Sequence, residues 1–231
     1  MNDFVLLEKI KSGYTPAPAE LAILIDHTLL KPDATSAEVN NLCEEAIKYN
    51  FKSVCIPPSY VEFTKQKLKN TEVLTISVVG FPFGYTFSYC KLEEGKRLKE
   101  SGADELDMVI NITYVKRKLW KDLQDEITSI KSIGKPLKVI VETCYLEKEE
   151  KIKMAEIVAE AKADFIKTST GFGPSGANIE DIKLFKNVLK DTVKIKASGG
   201  IRDYNTAISM LTAGASRLGL SASVKIVNEK V

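Results

Sequence analysis

The chain has 231 residues, near the roughly 250 typical of one (β/α)8 barrel and enough to bury a full core. Hydrophobic residues make up 44% and charged residues 28%, and 33 basic against 31 acidic residues leave a net charge of +2, too even for a nucleic-acid or membrane partner. One histidine and four scattered cysteines (Cys43, Cys55, Cys90 and Cys144) exclude a Cys/His zinc pattern, and no apolar run reaches the length of a membrane span.

The first ~15 residues are expected to form an extra helix over a barrel floor. They carry no signal-peptide apolar block, and single cysteines suit a reducing compartment, so a cytoplasmic protein is expected. A first strand is read at 22–26 and a helix at 36–49, with Ser36 as N-cap. Glu38 then falls two positions on rather than three, which leaves the capping box imperfect. Strands follow at 53–56 and 74–80, and a helix at 92–101 ends at Gly102. A strand at 105–110 precedes a helix at 119–133 closed by Gly134; a strand at 138–142 precedes a helix at 148–161. The last units are a strand at 164–168, a helix at 179–189, a strand at 194–197, a helix at 203–212 before Gly214, and a strand at 217–220.

Such alternation implies parallel strands with right-handed crossovers. No Pro-, Gly- or Ser-rich break divides the chain, so residues 1–231 read as one α/β domain: a single (β/α)8 TIM barrel with an extra N-terminal helix. Chemistry then belongs at the C-terminal ends of the strands.

Asp107, Lys167 and Lys196 interrupt segments that otherwise read as buried strand. A lone lysine in a strand is usually a solvated edge residue, but barrel strands are covered outside and filled within. Lys167 and Lys196 stand 196 − 167 = 29 residues apart, one strand–helix repeat, near the ends of consecutive strands. A lysine at its reference pKa of about 10.4 is neutral in less than about one part in a thousand at pH 7. Burial and a neighbouring cation lower that pKa, toward roughly 7–8 in catalytic lysines, and yield an amine that can attack a carbonyl. With Asp107 able to exchange protons with Lys196, the trio has the makings of a Schiff-base site.

Ser198-Gly199-Gly200-Ile201-Arg202 and Gly219-Leu220-Ser221 fall after the seventh strand and at the end of the eighth, where the fold often binds phosphate. A Gly-Gly pair alone would read as a tight turn. Gly171-Phe172-Gly173-Pro174-Ser175-Gly176 fits the letters of a dinucleotide turn, but Pro174 interrupts it and no acidic residue ends the next strand; it reads as a loop over the site, without NAD. Asp26 and His27 are adjacent in a strand and point to opposite faces, so they form no dyad. Asp26 is the functional candidate and His27 a packing or hydrogen-bonded residue. Glu142 reads equally as a catalytic group or as a partner for a lysine, Cys55 and Cys144 as core, and Phe81-Pro82-Phe83-Gly84 as a shaped turn.

In this order, Ile25-Asp26-His27-Thr28-Leu29-Leu30-Lys31-Pro32, Val79-Gly80-Phe81-Pro82, the segment from Gly102 to Asn111, Val141-Glu142-Thr143-Cys144, Lys167-Thr168-Ser169-Thr170-Gly171-Phe172 and Lys196-Ala197-Ser198-Gly199-Gly200-Ile201-Arg202 resemble the deoxyribose-phosphate aldolase family. The resemblance covers residues 20 to 227 or so. It implies cleavage of 2-deoxy-D-ribose 5-phosphate to D-glyceraldehyde 3-phosphate and acetaldehyde, with no metal or organic cofactor, in cytoplasmic deoxynucleoside breakdown, and a homodimer or higher homo-oligomer. Lys167 would form the imine, with Asp107 and Lys196 as proton donor and acceptor and Asp26 in support. Gly199, Gly200, Arg202, Gly219 and Ser221 would surround the phosphate, and Thr170 and Gly171 would lie beside the substrate.

Departures from the family pattern are Ile56-Pro57-Pro58 after the second strand, Ala222 after Ser221, the aromatic stretch Tyr85-Thr86-Phe87-Ser88-Tyr89, and an end at Val231 without the C-terminal tyrosine of some relatives. They bear on substrate preference and turnover more than on reaction class. Two other readings stand beside this one: a transaldolase-like barrel acting on a larger sugar phosphate, and a non-catalytic sugar-phosphate sensor. The latter would be expected to lose one of Asp107, Lys167 and Lys196.

Overall fold

Eight short strands alternate with helices, and in a computed structural model, which describes residues 2–229, they close in sequence order into one parallel barrel. After α1 (Asp3–Lys11) come β1 (Ile25–Thr28), α2 (Ser36–Tyr49), β2 (Ser53–Ile56), α3 (Val61–Lys67), β3 (Leu74–Val79), α4 (Ser88–Glu100) and β4 (Glu105–Val109). Next are α5 (Ile112–Lys116), α6 (Trp120–Lys131), β5 (Leu137–Ile140), α7 (Lys148–Glu160) and β6 (Phe165–Lys167). The chain closes with α8 (Ile179–Leu189), β7 (Lys194–Ser198), α9 (Tyr204–Ala213), β8 (Arg217–Leu220) and α10 (Ser223–Val227).

The strands are buried on both faces, inward by the barrel filling and outward by the helices, which is why they read as nearly continuous apolar runs. The expected N-terminal helix is α1. Its Leu6 and Ile10 are buried, and Asp3 pairs with Lys52 at 3.2 Å beneath β2. Phe4 and Leu7 face the starts of β7 and β8 across a cavity shared with Lys194, Ile195 and Ser216, so the helix covers the floor.

Two expectations are corrected. Residues 22–24 belong to a 3-10 segment, Pro18–Leu24, and β1 begins at Ile25; Leu21, Ala22 and Leu24 are buried without being strand, a distinction that apolar runs cannot make. The N-cap of α2 is Thr35 rather than Ser36. Thr35 Oγ1 accepts from Glu38 N–H at 3.3 Å while Glu38 returns a carboxylate to Thr35 N–H at 2.9 Å, which completes the capping box. The helices α3, α5 and α10 are too short for a hydrophobic period to declare itself. Among the described residues no helix is long and apolar enough to cross a membrane.

Lateral pairing sets which side chains enter the barrel. Asp26 pairs with Ser53, Asp107 with Lys138, Lys138 with Phe165, Lys167 with Lys196, and Lys196 with Arg217. Paired residues face the same side of a sheet and alternate along each strand. One register therefore turns Glu105 and Asp107, Phe165 and Lys167, and Arg217 and Gly219 all inward.

Candidate active site

The inward register concentrates charge. Lys167 Nζ and Lys196 Nζ each donate to Asp107 Oδ2 at 2.8 Å, and Lys138 Nζ donates to Asp107 Oδ1 at 3.0 Å. Lys196 also meets Asp26 Oδ2 at 2.5 Å, while Arg217 Nη1 and Ser53 Oγ donate to Asp26 Oδ1 at 2.8 and 2.6 Å. Below them Lys138 donates to Glu105 at 2.5 Å, and Arg217 lies 3.7 Å from the same carboxylate. Asp26, Asp107, Lys138 and Lys196 are fully buried; Lys167 keeps 3% of its surface exposed.

This setting moves the pKa values apart. Burial favours a neutral Lys167, Asp107 opposes it, and the Lys196 ammonium adds to it; the net displacement is downward. Lys196 is equally buried, but Asp107 and Asp26 overcome that cost and raise it, which keeps it an ammonium. Burial would raise the Asp107 carboxyl, yet Lys138, Lys167 and Lys196 together hold it well below the usual carboxylate range. Asp26 is lowered as well, because Lys196, Arg217 and Lys138 outweigh its desolvation. The result is one lysine shifted toward the free amine, beside an ammonium and a carboxylate that their neighbours favour in the charged form.

Lys138, Glu105 and Arg217 were not singled out by the sequence, because each opens its strand or nearly does and looks like a boundary charge. Their signal is the two-residue period: Glu105 precedes Asp107 and Arg217 precedes Gly219 by two, so all face inward. Gly219 has a steric reason of its own. A Cβ there would lie 2.9 Å from Lys196 Cε and 3.0 Å from Ser198 Cβ, so the glycine makes room for the lysine stem.

Among the predicted phosphate residues, Gly199 and Gly200 adopt φ of +83° and +78°, left-handed backbone suited to glycine. Among the described residues, the N–H groups of Gly199, Gly200, Ser221 and Ala222 meet no acceptor, and they crown β7 and β8 on one side of Lys167. Arg202 and Ser221 are exposed beside them. Gly171 is exposed with φ +90°. The stretch from Gly171 to Gly176 forms an irregular loop, and α8 starts only at Ile179, so the immediate helix start of a dinucleotide turn is missing.

Glu142 is a buried partner of Thr170; among the described residues no lysine pairs with it, which corrects the expected lysine partnership. Its carboxylate accepts from Thr170 N–H at 3.1 Å and from Thr170 Oγ1, and Thr170 Oγ1 accepts in turn from Phe172 N–H at 3.0 Å. Burial raises the Glu142 carboxyl, against the bonds from Thr170. Its backbone is left-handed, φ 50° and ψ 67°. His27 points out of the barrel, with Nδ1 3.0 Å from Ser223 Oγ and Nε2 2.8 Å from Glu45. Cys55 is core, its thiol pushed up to about 11 by burial, whereas Cys144 is only half-buried beside Glu142. Among the described residues no cluster of three or more His, Cys, Asp or Glu side chains could hold a metal ion.

Barrel, strand-end lysines and glycine loops with unpaired N–H groups together define a class I aldolase architecture. Residues 21–226 match the model of the DeoC/LacD family aldolases, and the chain belongs to that family. It is 50% identical over 214 residues, 90% of the chain and 93% of the relative, to the deoxyribose-phosphate aldolase of Caldanaerobacter subterraneus subsp. tengcongensis. It is 48% identical to that of Thermococcus kodakarensis, over 90% of the chain and 96% of the relative. A solved structure described as a tetrameric deoxyribose phosphate aldolase from Aeropyrum pernix superposes with a TM-score of 0.86 at 31% identity, covering 96% of this chain and 95% of that one.

Two substitutions test this geometry. Gly219→Ala is expected to push the Lys196 stem aside and lower kcat about ten- to a hundredfold with an unchanged circular dichroism spectrum, since a displacement near 1 Å can cost roughly a hundredfold. Lys138→Met leaves Glu105 and Asp107 without their shared cation; unfolding in denaturant should show a loss of about 3–5 kcal/mol, partly restored in Lys138→Met/Glu105→Leu.

Proposed function

We propose that the chain is a single-domain Schiff-base aldolase that reversibly cleaves 2-deoxy-D-ribose 5-phosphate to D-glyceraldehyde 3-phosphate and acetaldehyde. The observation that carries this is Lys167: buried at a strand end, lowered in pKa, and bonded to a carboxylate shared with a second lysine. The family's names for close relatives supply the substrate.

The neutral Lys167 amine attacks C1 of the open-chain sugar, and the carbinolamine loses water to give an iminium. A proton leaves the C3 hydroxyl, the C2–C3 bond breaks, and its electron pair passes into the iminium to form an enamine. D-glyceraldehyde 3-phosphate departs; protonation of the enamine carbon and hydrolysis of the imine release acetaldehyde and free the lysine. Asp107, held as a carboxylate, is suited to accept protons, and Lys196, held as an ammonium, to donate them. Asp26 orients Lys196 from the other side.

The phosphate would be received by the N–H groups of Gly199, Gly200 and Ser221, with Arg202 and Gly219 completing the rim and Thr170 and Gly171 beside the sugar. Bulk water meets little of the amine, so its field from Lys196 is weakly screened. A homo-oligomer fits the exposed, stacked Phe87 and Tyr89 and the tetramer described for the Aeropyrum pernix protein. The four free thiols suit a cytoplasmic setting.

Borohydride reduction in the presence of acetaldehyde is expected to leave an ethyl group on Lys167, located by peptide mass spectrometry and absent from Lys167→Leu. An adduct on Lys196 would exchange the two lysine roles, and no adduct would remove the aldolase reading. The pH profile gives a second check. Activity should rise with pH as Lys167 loses its proton. Lys196→Met removes the cation that lowers Lys167, so the acid limb of kcat/KM should move to higher pH.

A further inference from the structure

A cavity of about 330 Å3 opens at the barrel mouth, walled by Pro82 and Phe83 after β3, Ile112 and Thr113 of α5, Tyr145 after β5, and Phe172 after β6. It occupies the arc of the rim from β3 to β6, whereas the unpaired N–H groups lie on β7 and β8. β6, the Lys167 strand, ends the first arc and borders the second. Glu142 after β5 and Thr170, three residues beyond Lys167, line the chamber, as does Phe172, whose ring meets Phe81 edge-on at 5.3 Å. Phe81 in turn packs on the interior cluster of Cys55, Ile76 and Val78.

The charged side chains in the wall are already paired or hydrogen-bonded, and the two hydroxyls there without a partner among the described residues, of Tyr85 and Tyr145, are neutral. Lys116 Nζ pairs with Glu150 at 2.6 Å, Thr113 Oγ1 donates to Asn111 at 2.6 Å, and Glu142 and Thr170 satisfy each other. No charge is left over to recognise a carboxylate or a second phosphate, and the lining offers mostly apolar surface.

We infer that this chamber is a donor-side subsite, which takes an apolar substituent on the carbonyl carbon of the compound that condenses with Lys167. The inference rests on the Schiff-base reading above. A substrate stretched from the β7–β8 loops to Lys167 presents its carbonyl end to the β3–β6 arc. In acetaldehyde that end carries only hydrogen; in a methyl ketone it carries an alkyl chain, which would enter the chamber. The amine and the ketone condense with loss of one water, the methyl group remains the carbon that forms the enamine, and no oxidant or reductant takes part.

The test is reductive trapping on Lys167 with acetaldehyde, acetone and heptan-2-one, in the wild type and in Ile112→Trp, which fills the chamber from outside the catalytic group. Each methylene removed from water is worth about fourfold in affinity, so heptan-2-one should half-saturate labelling at a concentration at least about tenfold below acetone. Ile112→Trp should abolish that gain and leave labelling by acetaldehyde and acetone within about twofold. Tyr145→Ser, which removes apolar wall instead of filling space, should weaken heptan-2-one several-fold and guards against misfolding of the first variant. Equal half-saturation by the two ketones, or an equal shift for all three compounds in both variants, overturns the subsite. Absence of any adduct, acetaldehyde included, overturns the Schiff-base reading and the subsite with it.

Discussion

One carboxylate holds three lysine amino groups in the buried interior. Asp107 accepts from Lys167 and Lys196 on one oxygen and from Lys138 on the other, with none of its own surface exposed. Taking ions out of water costs several kcal/mol each unless their partners are close and well aligned. Among the described residues the connected network joins four cations, Lys138, Lys167, Lys196 and Arg217, to three carboxylates, Asp26, Glu105 and Asp107. It carries one positive charge too many. Releasing a proton from Lys167 brings the two sides level, and Lys167 is the cation with a single carboxylate partner and some exposure. Lys196 has two carboxylates and Arg217 is a guanidinium, so neither yields its proton first. Charge balance, and not burial alone, marks Lys167 as the lysine that most readily gives up its proton.

Such a network is poor evidence for stability, since well-packed apolar residues would fill the same space at less cost. What it supplies is fixed orientation. Glu105 and Arg217, one layer down, hold Lys138 and Asp26 from below, and those two in turn hold Asp107 and Lys196. The barrel makes this possible because closure removes strand edges and a single register sets every inward side chain at once. Gly219 shows how closely the layers fit: the lysine stem crosses the place where any other residue would carry its Cβ.

Much of this was legible in the sequence. Four of the eight helix-strand units have helix or strand bounds that agree to the residue, as in Ser36–Tyr49, Ser53–Ile56, Ile179–Leu189 and Arg217–Leu220. Asp107, Lys167 and Lys196 stood out because a charge in an apolar run is conspicuous, and the structure brings both lysines within hydrogen-bond reach of Asp107. Lys138, Glu105 and Arg217 did not, because a charge at a strand's opening looks the same whether it faces in or out until register is known. The N-cap of α2 was missed by one residue although the Thr35–Glu38 spacing was present; an apolar pattern blurs at helix ends, where capping geometry decides. The β3–β6 chamber is assembled from four loops distant in sequence, and no local pattern encodes it.

Glu142 joins these levels. A left-handed backbone at a residue that is not glycine costs of order 1–3 kcal/mol and persists only where the surroundings hold it. Here it turns the chain directly after β5, so that the carboxylate reaches across to β6 and grips Thr170 through both its N–H and its hydroxyl. Thr170 stands three residues beyond Lys167, and its hydroxyl receives the N–H of Phe172. The strand end of Lys167 and the aromatic wall of the chamber are thus tied to one buried anchor. A strained residue in that position is consistent with a loop that must be set in place before substrate arrives, because the cost of ordering it has then been met in folding and not at the moment of binding.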